Sequence, residues 1–194
     1  MKEISVLFVG NSYTHYNDMP KSIFAKLAKK EGYDVKLTQV TKDGYRLCQF
    51  ADPNTEGGAE LRNAICGAHY DFAIIQEQSL NPITNEKEFL DGACKVTDLI
   101  PADHFILYAT WGRNNESEEL AALSLTREEM TEKLSAAYHK AGKLIGARVA
   151  KVGKAFLAYA REKDKNELYN PDNSHPSKTG SSLAARVILD CIIG

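Results

Sequence analysis

Apolar residues fall along the chain in short runs of strand length, each followed by a stretch of helical period. Val6-Leu7-Phe8-Val9 is continuous and is bounded at once by Gly10-Asn11-Ser12, which predicts a short strand buried on both faces and ended by a sharp turn. Asp18-Met19-Pro20-Lys21 then reads as a helix start, with Asp18 as N-cap, Pro20 in the first turn and Ile23, Phe24, Leu27 and Ala28 on the inner face until Glu31-Gly32. Val35, Leu37 and Val40 predict a second strand that stops at Lys42-Asp43-Gly44. Residues 53–58, rich in Pro, Asn and Gly, read as a loop before a helix through Leu61, Ala64 and Ile65.

Asp71 to Ile75 predicts a third buried strand, which breaks into Gln76-Glu77-Gln78-Ser79. Asn85 and Glu88 form a capping-box pattern ahead of a helix that turns Phe89, Leu90, Ala93 and Val96 inward. His104 to Ala109 is the fourth strand, ending at Thr110-Trp111-Gly112-Arg113, and the polar stretch 114–119 reads as a surface loop. Thr126 with Glu129 caps a long helix to Ile145, residues 147–152 form a fifth strand, and residues 154–163 a helix. After a loop at 171–176, Ser177 caps a last helix through Leu183, Ala184, Val187, Ile188 and Ile192. Alternation of this kind predicts an α/β fold, a three-layer α/β/α sandwich with a five-stranded parallel sheet, formed by residues 1–194 as one domain. All strands of such a sheet end on one rim, so Ser12, Gly44, the segment from Gln76 to Ser79, and Trp111 are expected to meet there.

Composition narrows the partners. With 24 Lys and Arg against 26 Asp and Glu, the formal net charge is -2, and no basic stripe suggests a nucleic acid. Lys26, Lys29 and Lys30 fit a solvated helix face. Cys48, Cys66, Cys94 and Cys191 stand far apart with no Cys-x-x-Cys spacing, so no zinc site or redox motif is written locally. No apolar run is long enough to cross a membrane. The chain passes from Met1 directly into its first strand, which leaves no room for a leader and points to the cytoplasm; a chain with a trimmed secretory leader would look the same. Oligomeric state is not encoded in any pattern seen here.

A serine hydroxyl attacks only when a base takes its proton, and the base works best when a third group fixes its tautomer. Asp172-Asn173-Ser174-His175 offers both partners in one turn, with the residue spacing that puts carboxylate and imidazole on one side. Pro176 biases His175 toward extended backbone and Ser177 starts a helix. His69, His104 and His139 fall within helix or strand patterns; His15, three residues after Ser12, suits substrate contact better than proton transfer. On these residues alone, Gly10-Asn11-Ser12 also reads as a plain turn and cap, and the competing functional reading is a non-catalytic module that binds an anion at that turn.

Gly10-Asn11-Ser12 after the first strand, a glycine after the second, and Asp172-x-x-His175-Pro176 near the end resemble the SGNH hydrolases, or GDSL-like esterases. More narrowly, Gly10 to Thr14, Gln76 to Ser79, Tyr108 to Trp111 and Leu168 to Ser177 resemble a bacterial SGNH-like subgroup, over essentially the whole chain. The resemblance implies a flavodoxin-like fold and a serine esterase with Ser12 as nucleophile, His175 as general base and acid, and Asp172 as orienting carboxylate. A serine esterase of this kind is expected to need no metal or organic cofactor. It also implies an oxyanion hole from the backbone N–H groups of Ser12 and Gly44 and a side-chain amide after the third strand. The usual Gly-x-Asn-Asp block is here Gln76-Glu77-Gln78-Ser79, which assigns the amide to Gln76 and, as second choice, to Gln78. Short connections without a lid-like insertion favour a small acyl group, most simply acetyl, on a carbohydrate or other small alcohol. Trp111, Tyr13, Tyr45 and Phe50 are the aromatic candidates for stacking on a sugar, with His15 as a further contact. Arg46 and Arg113 are the candidates for an anionic group on the leaving side.

Overall fold

A computed structural model describes residues 1–163 and 165–194. Five parallel strands make one sheet: β1 (Lys2–Gly10), β2 (Tyr33–Thr41), β3 (Tyr70–Ile75), β4 (Ala102–Tyr108) and β5 (Arg148–Ala150), in the order β2-β1-β3-β4-β5. The order reverses direction between β1 and β3, so crossovers leave on opposite faces and open a crevice at the end of β1. In register, Gly10 stands opposite Thr41 of β2 and Val9 opposite Ile75 of β3. β2, β1 and β3 therefore deliver their loops to one level.

The apolar run of β1 is buried throughout because helices cover both faces. Val6 and Phe8 point into one core, with Phe24 and Ala28, Phe156 of α9 (Val152–Glu162), and Ala184, Ile188 and Leu189 of α10 (Lys178–Ile193). Leu7 and Val9 point into the other, with Leu47 and Phe50 of α3 (Leu47–Ala51), Leu61 of α4 (Glu56–Ile65), Phe89 of α6 (Glu86–Leu99) and Leu134 of α8 (Arg127–Ile145). Side chains of a strand alternate between faces, so four apolar residues in a row need an apolar layer on each side.

The capping predictions hold where the side chain has a helix to serve. Thr126 Oγ1 accepts from the N–H of Glu129 at 3.2 Å while the Glu129 carboxylate accepts from the N–H of Thr126 at 2.8 Å, and Ser177 Oγ accepts from the N–H of Gly180 at 3.1 Å. Asp18 is different. Its backbone is left-handed (φ 52°), and its side chain caps nothing; the carboxylate accepts from Ser22 Oγ instead. A π-helical turn, Met19–Phe24, absorbs this irregular start before α2 (Ala25–Lys30).

Residues 114–117 form the expected surface loop, with Asn115 and Glu116 exposed, but it is anchored at two points and gives way to a helix at Glu118. Asn114 and Ser117 are buried, and Ser117 caps the short helix α7 (Glu118–Ala122). The segment is held down from the far end of the chain: the N–H of Asn114 donates to the Asn173 carbonyl at 2.9 Å, and its amide meets Asn173 Oδ1 at 3.0 Å. Two more short helices, α3 and α5 (Asn81–Thr84), occupy stretches with too few residues to show a period. The fifth strand is trimmed to Arg148–Ala150, and the helix after it begins at Val152. All four cysteines are free. Among the described residues, no helix is long and apolar enough to cross a membrane.

Candidate active site

Ser12 is the first residue of α1 (Ser12–His15), directly beyond β1. Asn11 caps the helix, its side-chain oxygen accepting from the N–H of Tyr13 at 3.2 Å. The turn is tight because Gly10 has no side chain: a Cβ there would lie 2.5 Å from Thr14 Oγ1 and 2.7 Å from Gln76 Oε1. As the head of a helix, the Ser12 N–H has no acceptor within it. Ser12 lines a cleft of about 430 Å³ together with His175, Tyr16, Gly44 and Gln78.

The loop before α10 brings the base. Asp172 Oδ1 accepts from the N–H groups of Ser174 at 3.0 Å and His175 at 2.9 Å, with Asn173 in the left-handed region (φ 60°) between them. Asp172 Oδ2 lies 2.6 Å from His175 Nδ1, and His175 Nε2 lies 2.8 Å from Ser12 Oγ. Burial opposes the charge of Asp172, but the two backbone N–H groups and the imidazole outweigh it and hold the carboxyl below its usual range. An ionised Asp172 makes Nδ1 the donor and leaves Nε2 free to accept from the serine hydroxyl. The imidazole is also held by its faces: Tyr16 stacks on it with centroids 4.5 Å apart and planes at 19°, and Tyr13 meets it edge-on at 5.4 Å.

Gly44 ends the turn after β2 with φ +68° and open space about it. A side chain there would strain the backbone. The amide assigned first by sequence, Gln76, is not in the cleft. It is fully buried; its Oε1 accepts from the N–H of Asn11 at 3.0 Å and from Thr14 Oγ1 at 2.8 Å, and its Nε2 donates to the Glu77 carbonyl. Gln78 lines the cleft instead. Its Oε1 accepts from the N–H groups of Leu80 at 2.8 Å and Asn81 at 3.0 Å. That pair fixes which end of the amide is which, and no acceptor among the described residues meets its Nε2 donor. Alternation gives the two glutamines the same facing, and Gln78 ranked second because it lies further along the loop; the chain leaves the strand at Ile75, so residue 76 is a buried tie and residue 78 reaches the cleft.

The aromatic candidates are mostly wall and core. Trp111 is fully buried between Tyr13 (4.8 Å, planes at 4°) and Phe156 (4.2 Å, planes at 6°), and its Nε1 donates to the Ser174 carbonyl at 3.1 Å. It cannot touch a ligand. Tyr13 is buried too, with its hydroxyl 2.5 Å from Ser174 Oγ, and burial raises its pKa. Tyr45 packs on the buried Phe50 at 5.4 Å and covers Gly57. His15 Nε2 pairs with Asp43 Oδ1 at 3.1 Å, beside the mouth. Arg113 does line the cleft, 8% exposed, but its charge is met by Glu119 at 2.6 Å, and Ser79 Oγ accepts from Nη2 at 3.3 Å. Hydrogen bonding by that guanidinium, the largest influence, drives the Glu119 carboxyl down to about 2. Arg46 pairs with Glu88 at 2.9 Å, in the α3 region.

Sequence reading missed Tyr16, Ser174 and Glu77. Tyr16 stands four residues after Ser12, one helical turn, which is a signal of proximity; the roles of Ser174 and Glu77 depend on contacts made across the sheet. Among the described residues no three His, Cys, Asp or Glu side chains group in a way that could hold a metal.

Solved structures share this architecture. The chain is 28% identical to a candidate SGNH hydrolase from Slackia heliotrinireducens, with a TM-score of 0.82 over 98% of this chain and 100% of that one. A DUF4886 family protein from Bacteroides uniformis aligns with a TM-score of 0.78 at 17% identity, over 99% of this chain and 83% of that one. An acetylxylan esterase from Geobacillus stearothermophilus aligns with a TM-score of 0.69 at 13% identity, over 98% and 94% of the two chains, a likeness of fold. No family model and no curated protein matches the chain.

Proposed function

We propose that this chain, which belongs to the SGNH-like hydrolase superfamily, is a serine esterase that removes a small acyl group, most simply acetyl, from a carbohydrate or other small alcohol. The observation that carries the reading is the continuous relay from Asp172 Oδ2 through the His175 ring to Ser12 Oγ, with contacts of 2.6 and 2.8 Å. The competing reading, an anion-binding module, required His175 beyond reach of Ser12.

In the proposed reaction Ser12 Oγ attacks the ester carbonyl carbon as His175 Nε2 takes its proton, and Asp172 steadies the imidazolium. The carbonyl oxygen, now negative, lies against the N–H groups of Ser12 and Gly44 and the Nε2 amide of Gln78. Preorganised donors of this type each contribute about 3 to 4 kcal/mol to transition-state stabilisation. His175 then returns the proton to the leaving alkoxide, and the acyl group stays on Ser12. Water, deprotonated by His175, attacks the acyl carbon; the carboxylic acid leaves and Ser12 recovers its proton.

A cleft of about 430 Å³ suits a small substrate, and the fold is shared with an acetylxylan esterase. With Trp111 fully buried and Tyr13 lining the cleft only as part of its wall, Tyr16 is the more open aromatic for a sugar ring. Comparing wild type with Ser12→Ala on p-nitrophenyl acetate tests the reading. Loss of hydrolysis in a folded variant is expected, and equal rates would refute Ser12 as the nucleophile.

A further inference from the structure

Glu77 is fully buried, precedes the cleft-lining Gln78 in the chain, and takes no part in the relay. Its carboxylate reaches in two directions. Oε1 accepts from the N–H of Gln78 at 2.6 Å, and both oxygens accept from the N–H of Leu47, at 3.3 and 3.2 Å. Leu47 closes the loop that follows β2 and contains Gly44; Gln78 belongs to the loop after β3. β1, which carries Ser12, runs between those two strands. Asn11 makes a parallel connection, its N–H to Gln76 and its amide to the Tyr45 carbonyl at 3.0 Å.

We infer that Glu77 is a positioning residue for the proposed hydrolysis: its buried carboxylate straps the Gly44 loop to the Gln78 loop and so sets the spacing of the oxyanion donors. This rests on the esterase reading above. An uncompensated carboxylate is costly to bury, and an apolar residue would pack there without that cost. A charged residue in this place is explained by the two backbone donors it joins on different loops.

The surroundings favour control over simple packing. Glu88 of α6 faces Glu77 and adds like charge, Cys48 of α3 lies beside it, and the Tyr138 hydroxyl of α8 accepts from its N–H at 3.2 Å. Burial is the largest influence and pushes the carboxyl up to about 7, against the pull of the N–H groups of Gln78 and Leu47 and the Asn81 side chain. At neutral pH the strap thus sits near the midpoint of its ionisation.

The test is Glu77→Gln, which keeps the shape and loses the charge, read by steady-state kinetics and by amide hydrogen exchange. Displacing donors by a fraction of an ångström predicts that kcat on p-nitrophenyl acetate falls about 10- to 100-fold, with KM changed by less than about threefold because ground-state binding is untouched. Exchange should quicken together in residues 43–47 and 76–80. Leu47→Pro is the second variant: it deletes the far donor together with a leucine side chain buried in the core, so Leu47→Ala, which loses that packing but keeps the N–H, is its control. Position 47 is the first of α3, where proline is tolerated, and Arg46 is already extended (φ −100°, ψ 158°). Leu47→Pro should reproduce the kcat loss, beyond any seen in Leu47→Ala, if Glu77→Gln fails to fold. Unchanged kcat in Glu77→Gln and Leu47→Pro, or faster exchange confined to one loop, overturns the strap. If wild type and Ser12→Ala hydrolyse the ester equally, the esterase reading fails on its own, and the exchange result still decides whether Glu77 couples the loops.

Discussion

Asp172 Oδ2 and His175 Nδ1 are 2.6 Å apart, and the same carboxylate, through its other oxygen, accepts the backbone N–H groups of Ser174 and His175. One side chain therefore shapes the loop and orients the ring. In Asp172→Asn the amide oxygen can still take the two N–H groups, while the amide nitrogen turns toward Nδ1 and forces the proton onto Nε2, facing Ser12. The expected outcome is a folded protein whose kcat falls about a thousandfold to ten-thousandfold at neutral pH, measured as initial rates on p-nitrophenyl acetate. A variant within tenfold of wild type would show that the carboxylate does not set the tautomer.

The two glutamines after β3 separate by burial. Gln78→Ala should lower kcat about a hundredfold or more with little change in melting temperature, as expected for loss of an oxyanion donor. Gln76→Ala removes the acceptor of Asn11 N–H and Thr14 Oγ1 and leaves buried groups unpaired, a cost of about 1 to 3 kcal/mol. Thermal unfolding beside kinetics distinguishes them; the opposite pattern would return the donor role to Gln76.

Trp111 is a wall behind the site. Trp111→Ala should cost about 3 to 5 kcal/mol of stability. Trp111→Phe keeps the stack between Tyr13 and Phe156 and loses the bond to the Ser174 carbonyl, a cost of about 1 kcal/mol. Its preference among acetyl esters of different alcohols should match wild type, because the ring touches no ligand. A changed preference would place Trp111 at the substrate after all.

Glu77 makes stability depend on pH. The folded protein holds its proton up to about 7, against 4.5 for an ordinary glutamate, so between those values the folded state binds more protons than the unfolded one. Stability from this group is complete below pH 4.5 and is lost as pH rises through about 7. Glu77→Gln does not titrate. Relative to wild type it should gain up to about 3 kcal/mol between pH 5 and pH 9 in denaturant unfolding, although its turnover is lower. A stability difference that is flat with pH would mean that the carboxyl is not desolvated.

Much of this was legible in the chain. Apolar runs of strand length placed β1, β3 and β4, whose inner ends are covered on both faces, while β2, at an edge, showed as the alternation of Val35 and Leu37 with Asp34 and Lys36. The turn at Ser12 and the spacing of Asp172 and His175 marked them as candidates, the resemblance supplied their roles, and the fold brings the three within hydrogen-bond reach. Side-chain direction beyond a strand end was not legible. Gln76 and Gln78 differ only in which way the backbone turns after Ile75, and that is fixed by Asn11 and Thr14, more than 60 residues away. Trp111 was expected at the rim because it follows a strand, yet Tyr13 and Phe156 draw it into the core. Asn114 looked solvated for the same reason: its partner Asn173 lies at the other end of the chain.

The most direct measurement is labelling with a fluorophosphonate probe, wild type beside Ser12→Ala, read by intact mass. Activation of Ser12 by His175 predicts one adduct on wild type and none on the variant. A folded wild type that takes no adduct, or a variant that takes the same one, would contradict the assignment of Ser12 as the nucleophile.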